Sequence, residues 1–163
     1  MCGEVQGKGD VASLWCLMSH TILLAHRAIH KPIRMHGVTP GLTSTKNNDA
    51  FVDDTDGYVD VEQCNSEAEN EVAQTLQNKA QSWAKLIAIL GGAIAFHKCA
   101  WQMIGWNYNV CPPMIKMRSE HKINLTDRDG NETNIQQLPI DQPNVGLGCR
   151  LAPDGGQQHE SRF

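Results

Sequence analysis

Phe51-Val52-Asp53-Asp54-Thr55-Asp56-Gly57 is the stretch on which the reading of this chain turns. Ala50-Phe51-Val52 and Tyr58-Val59-Asp60-Val61 are short β-prone runs, and the acids and glycine between them are turn formers. The stretch therefore predicts a hairpin with carboxylates in its turn. Neighbouring residues of a strand point to opposite faces. A sharp turn between Asp53 and Asp54 would let one carboxylate bind a divalent metal while the other supports the site, and hard oxygen ligands of this kind suit magnesium. On its own an Asp-Asp turn is a common structural feature, because Asp populates turns readily.

The acidity extends past the hairpin. Residues 51–71 hold Asp53, Asp54, Asp56, Asp60, Glu62, Glu67, Glu69 and Glu71 and no Lys or Arg. The whole chain carries 18 Asp and Glu against 14 Lys and Arg, a net charge of −4. Setting those eight aside leaves ten acids against 14 bases, a mildly positive body around one concentrated negative site. A strongly basic nucleic-acid tail is excluded. The layout suits a metal centre within a phosphate-contacting surface, and equally a solvated acidic loop. At 163 residues, 40% hydrophobic and 20% charged, the chain is one domain or a piece of one, neither collagen nor disordered.

The six cysteines contain no Cys-x-x-Cys pair, so reduced thiols are expected. The apolar run of residues 11–25 contains His20, lies behind Lys8 and Asp10, and is shorter than the roughly 18 residues a spanning helix needs. The expectation is an intracellular protein, cytoplasmic or nuclear, neither secreted nor in a membrane. Two sequons, at Asn124 and Asn131, are then coincidental.

Upstream of the hairpin, a glycine-rich opening runs into residues 11–30, where apolar residues recur at helical spacing until Lys31-Pro32. Residues 32–48, with Pro32, Gly37, Pro40 and Gly41, have no period and read as an irregular connection. Downstream, Ser66 and Glu69 have the spacing of a capping box ahead of Val72, Leu76, Trp83, Ile87 and Leu90, a helix that Gly91-Gly92 ends. Residues 93–96 and 100–104 read as strands. Asp127-Arg128-Asp129-Gly130 reads as the turn of a further hairpin, and residues 153–163 as a flexible tail. Neither a P-loop at residues 3–9 nor a calcium loop at residues 127–138 has its required spacing.

Four segments in order resemble the reverse-transcriptase palm of retroelements, in sequences of algal and diatom type. Gly3-Glu4-Val5-Gln6-Gly7-Lys8-Gly9-Asp10-Val11-Ala12-Ser13-Leu14-Trp15 is similar to motif B, and Phe51-Val52-Asp53-Asp54-Thr55-Asp56 to motif C. Ala73-Gln74-Thr75, Trp83, Gly91-Gly92-Ala93 and Lys98-Cys99-Ala100-Trp101 resemble the helix and lysine-bearing strand that follow. Leu147-Gly148-Cys149-Arg150-Leu151-Ala152-Pro153-Asp154-Gly155 resembles a downstream Leu-Gly segment. Val5 stands where the family has glycine, Ala12 where it has proline, and Gly57 where a bulky apolar residue is usual.

The resemblance implies an α+β fold: a partial polymerase palm, an antiparallel sheet backed by two helices, with an irregular C-terminal hairpin region. It divides the chain into a partial palm at residues 1–110, a connection-like hairpin region at residues 111–152 and the tail. Asp53 would be the main magnesium ligand and Asp54 the second carboxylate of a two-metal site. Lys98 would protonate pyrophosphate as a general acid. Gln6 and Gly7 would contact template–primer and nucleotide, and Leu147-Gly148 would form a primer-grip turn. Trp83 and Trp101 have spacing that favours core packing over stacking on bases. The partners implied are an RNA or DNA template–primer and a deoxynucleoside triphosphate. The family's motif A aspartate and fingers precede motif B and have no counterpart before Gln6, so the expectation is a palm fragment inactive in isolation. The alternative is a non-catalytic remnant serving as a nucleic-acid-binding or protein-interaction module.

Overall fold

The helical period of residues 11–30 is realised as α1 (Asp10–Ile29) in a computed structural model that describes residues 10–51, 54–61, 67–146 and 149–151. Beyond it, β1 (Ile33–His36) and β2 (Thr43–Lys46) pair antiparallel, with Ile33 opposite Lys46. At their turn the Leu42 N–H donates to the Thr39 carbonyl at 3.1 Å, and Gly41 takes a φ of +82°. Pro40 followed by a left-handed glycine is what a type II turn requires. Residues 32–48 are thus a hairpin and not the irregular connection expected, because the prolines and glycines that erase a period also build this turn.

The acidic stretch forms β3 (Asn48–Phe51) and β4 (Asp54–Gly57). α2 (Ala68–Ile89) follows and stops as the paired glycines demand. The Gly91 N–H donates to the Ala88 carbonyl and the Gly92 N–H to the Ile87 carbonyl, each at 3.0 Å, and Gly91 has a φ of +81°. That is the Schellman pattern, open to glycine because its left-handed residue has no Cβ to clash. At the other end Glu67 is the N-cap and makes no side-chain cap bond. α2 begins at Ala68, Ser66 lies outside the described residues, and the Glu69 carboxylate is bonded to Lys116.

The strands expected over 93–96 and 100–104 are largely replaced. Phe96–Lys98 is a 3₁₀ turn, closed by the Lys98 N–H on the Ala95 carbonyl at 2.8 Å, and only β5 (Ala100–Trp101) is extended and paired. Phe96 and Cys99 pack on the core together, which a turn allows and an alternating strand does not. β6 (Gly105–Asn107) pairs with β7 (Met114–Lys116). β8 (Ile123–Thr126) pairs with β9 (Glu132–Gln137) around the expected turn. There the Asp127 carboxylate accepts from the Asp129 and Asn131 amides at 2.9 and 2.8 Å, and Gly130 has a φ of +87°. β10 (Asn144–Gly146) pairs with β11 (Cys149–Leu151).

The architecture is α+β, with two helices and several small sheets among the described residues. Instead of one sheet backed by two helices, α2 backs a three-stranded sheet of order β5-β9-β8, whose β5-β9 pair is parallel, and α1 packs on α2. Ala73, Trp101, Met103, Ile123, Leu125 and Ile135 form the buried cluster, joined by Val72, Leu76 and Ala80 of α2. Trp101 is core, as its spacing suggests, with its indole N–H on the Ile135 carbonyl at 3.2 Å. No helix among the described residues is long and apolar enough to cross a membrane.

Candidate functional site

The register of the acidic hairpin sets Phe51 opposite Asp54, Ala50 opposite Thr55, Asp49 opposite Asp56 and Asn48 opposite Gly57. Asp54, Thr55 and Asp56 therefore belong to the strand and not, as the sequence suggested, to the turn. Directly opposed residues share a face, as do residues two apart, so Asp49, Asp54 and Asp56 project from the same side. Asp54 is exposed.

These carboxylates are not equivalent. Asp49 accepts from the Lys46 ammonium at 2.5 Å and from the Tyr58 hydroxyl at 2.9 Å. The bond to Lys46 is the main reason its carboxyl sits below the ordinary range. Lys46 also lies 4.6 Å from the centre of the Tyr58 ring. For Asp56 the nearby Lys46 charge is the smallest influence, and partial burial followed by the charges of Asp49 and Asp54 pushes its carboxyl up. A carboxyl that resists losing its proton beside two like charges is poised for a cation to relieve it.

The base of the hairpin is held by buried polar groups of both helices. The Tyr58 N–H donates to the Asn47 carbonyl at 3.2 Å, closing the hairpin where its legs leave the ladder. The Lys79 ammonium, on α2, donates to that same carbonyl at 3.2 Å and to the Tyr58 carbonyl at 2.6 Å, so one cation holds both legs. His26, on α1, is 1% exposed. Its Nε2–H donates to the Lys79 carbonyl at 3.1 Å, since a carbonyl can only accept, and its Nδ1, the acceptor of the neutral ring, lies 3.0 Å from the Asn48 carboxamide, whose NH₂ end is the one able to bond it. The Asn47 amide donates to the His30 carbonyl at 3.2 Å. Trp83 is half-buried and packs edge-on to His26, its ring 5.2 Å away, outside the apolar cluster that Trp101 joins. Burial is the first cause of the lowered pKa of His26, His30 and Lys79.

This clamp was missed at the level of sequence, yet it left a signal. Val72, Leu76, Lys79 and Trp83 fall at helical spacing on one stripe, so a lysine stands where an apolar residue belongs. His26 likewise follows Ile22 by four on the buried side of α1.

Of the residues singled out from the sequence, Asp54 is placed at the end of the hairpin. Lys98 is exposed and ends the 3₁₀ turn next to β9, not a strand, and no hydrogen bond or ion pair joins it to Asp54. Asp53, Gln6, Gly7, Leu147 and Gly148 lie outside the described residues. The oxygen donors of Asp54 and Asp56 suit a hard cation such as magnesium. Among the described residues no three His, Cys, Asp or Glu side chains converge to hold a metal ion, and Asp49 on the same face is engaged by Lys46. Comparison with known proteins finds no matching family model, no matching curated protein and no matching solved structure.

Proposed function

We propose that the chain is the palm portion, from motif B onward, of a retroelement reverse transcriptase, an RNA-directed DNA polymerase acting on template–primer and deoxynucleoside triphosphate. The observation that supports it is the hairpin carrying Asp54, fixed at its base by a helix before it and a helix after it, as a carboxylate platform must be to hold a metal at a set position. Magnesium bound there would activate the primer 3′-hydroxyl and stabilise the departing pyrophosphate. Asp53 and Asp54 would hold it, with Asp56 adding negative charge on the face of Asp54. Lys98 would deliver a proton to the leaving group. Gln6 and Gly7 would meet the template–primer and Leu147-Gly148 the primer end. A third carboxylate from an upstream motif A would complete the site in a longer product.

Primer extension tests this. The 163-residue chain alone is expected to extend nothing, and a fusion to an upstream region carrying fingers and motif A is expected to extend. In the fusion, Asp53→Asn should lower the rate by roughly 100-fold to 1000-fold, the scale of one lost electrostatic contact to a developing charge, and Asp54→Asn by less. Unchanged extension in both variants would remove the polymerase reading. The second reading, a non-catalytic binding module, is favoured by one observation, the exposed apolar residues over positions 104–117.

A further inference from the structure

The β6–β7 hairpin has two unlike faces. Gly105 and its cross-strand partner Lys116 face the first turn of α2. A Cβ at Gly105 would sit 2.7 Å from the Glu69 carboxylate, and Lys116 is ion-paired to that carboxylate at 2.7 Å. The glycine is what lets the hairpin approach so closely. The opposite face is bare. Trp106 and Ile115, a directly opposed pair, are 42% and 37% exposed, and Ile104, Tyr108 and Met117, which flank the two strands, are more so. Singly exposed apolar residues need no explanation, but seven over residues 104–117, with Val110 and Met114 included, do.

The surroundings say what fits this face. Residues 98–126 hold Lys98, Lys116, Arg118 and Lys122 against Glu120 alone, in a chain whose net charge is −4. Arg118, directly after Met117, opens a cleft of about 420 Å³ that Glu120, His121 and Lys122 also line, two cations against one carboxylate. Arg118 lies three positions after Ile115, so the cleft begins at most about 11 Å along the backbone from the apolar pair, a span of roughly three stacked nucleotides. Two copies docked through this face would set Arg118 and Lys122 of one near those of the other, which like-charge repulsion opposes.

We infer that the β6–β7 face and the adjoining cleft form a binding surface for single-stranded nucleic acid, with bases stacking on Trp106 and Tyr108 and phosphates meeting Arg118 and Lys122. Aromatic platforms beside cationic grooves bind single strands with little sequence preference. The surface is separate from the acidic hairpin and stands whether or not the polymerase reading does.

Fluorescence anisotropy of the 163-residue chain with labelled DNA and RNA single strands, and with duplex, tests it. Both single strands should bind more tightly than duplex. Trp106→Ala should weaken binding by about fivefold to 150-fold at unchanged salt dependence, and Trp106→Phe should retain most of it. Arg118→Gln and Lys122→Gln should each reduce the slope of log K against log salt by about 0.7. Asp54→Asn should leave binding intact, which separates this result from failure of the proposed catalytic site. No binding, or equal duplex binding untouched by Trp106→Ala, would overturn the inference. So would a dimer in sedimentation that Trp106→Ala dissolves, since the face would then belong to a second copy.

Discussion

Lys79 directs its ammonium at two backbone carbonyls from inside the protein, being 3% exposed. Burying that charge is costly, and hydrogen bonds to the cation recover the cost only because both carbonyls lie within reach. Lys79→Met keeps the length and removes the donor. It should destabilise the fold by about 2–4 kcal/mol, two charge-assisted bonds at ~1.5–3 kcal/mol each less the relieved desolvation. Amide exchange at Tyr58, whose N–H closes the hairpin base, should accelerate, and unchanged protection there would show the clamp to be incidental. Asp56 calls for the opposite sign. It lies opposite Asp49 and on the face of Asp54, so Asp56→Asn should stabilise by about 0.2–1 kcal/mol, the range for relieving an unfavourable cross-strand pair. A lower melting temperature for that variant at neutral pH would mean that the carboxylate has a structural partner.

Among the elements, β8 shows how an exposed strand edge is covered without another strand. The Gln77 carboxamide accepts from the Asn124 N–H at 2.8 Å and donates to the Asn124 carbonyl, and Gln81, one turn on, does the same for Thr126 at 2.8 and 2.9 Å. A carboxamide presents an acceptor and a donor side by side as a peptide group does, so two glutamines at i and i+4 stand in for a strand. Gln77→Leu with Gln81→Leu should cost about 1–3 kcal/mol in denaturant unfolding and leave an edge able to pair between molecules. A double variant as stable and monomeric as the parent would refute the covering role. The elements themselves were unevenly legible. α1, α2 and the β8–β9 hairpin carry long signals: a helical period, paired glycines, an Asp-x-Asp-Gly turn. The strands β1, β2, β5, β6 and β7 are two to four residues each, too short for an alternation to register. For the acidic hairpin the sequence conveyed its existence and missed its register, because Asp, Thr and Gly read as turn formers whether or not a ladder captures them. The clamp stayed hidden because tertiary contacts alone decide that a lysine in an apolar stripe is buried and not solvated.

Across the molecule, α2 holds the small sheets together: its apolar face packs on β8 and β9, Lys79 grips the acidic hairpin, and Glu69 anchors β6–β7 through Lys116. Loss of α2 would release all of them, so unfolding should be cooperative and its pH dependence should report on groups buried against this helix. His26 and His30 have their pKa lowered from 6.5, first by burial and then, for His30, by the charges of His26 and Lys79. Above pH 6.5 neither the folded nor the unfolded chain protonates them, and stability is level in this respect. As the pH falls below 6.5 the unfolded chain takes up protons that the folded chain refuses, and stability declines until the lowered folded values are reached. Asp49 and Asp127 act lower down. Their carboxyls are held below 3.8, Asp49 chiefly by Lys46 and Asp127 chiefly by Asn131, so their stabilisation is complete above 3.8 and is lost as the pH falls through the folded values. Asp56 runs the other way, its raised carboxyl giving a penalty at neutral pH that protonation relieves above 3.8. In the acid range the melting temperature should therefore decline as the pH drops below 6.5 and decline again beneath 3.8, while Lys79, its pKa lowered from 10.5 by burial, adds a separate dependence on the alkaline side. His26→Gln with His30→Gln should lower the melting temperature at neutral pH, because the buried His26 bond to the Lys79 carbonyl is lost, and flatten the first decline. Near-UV circular dichroism melts across this range would decide it, and a first decline as steep in the double variant as in the parent would show that other groups set the acid stability.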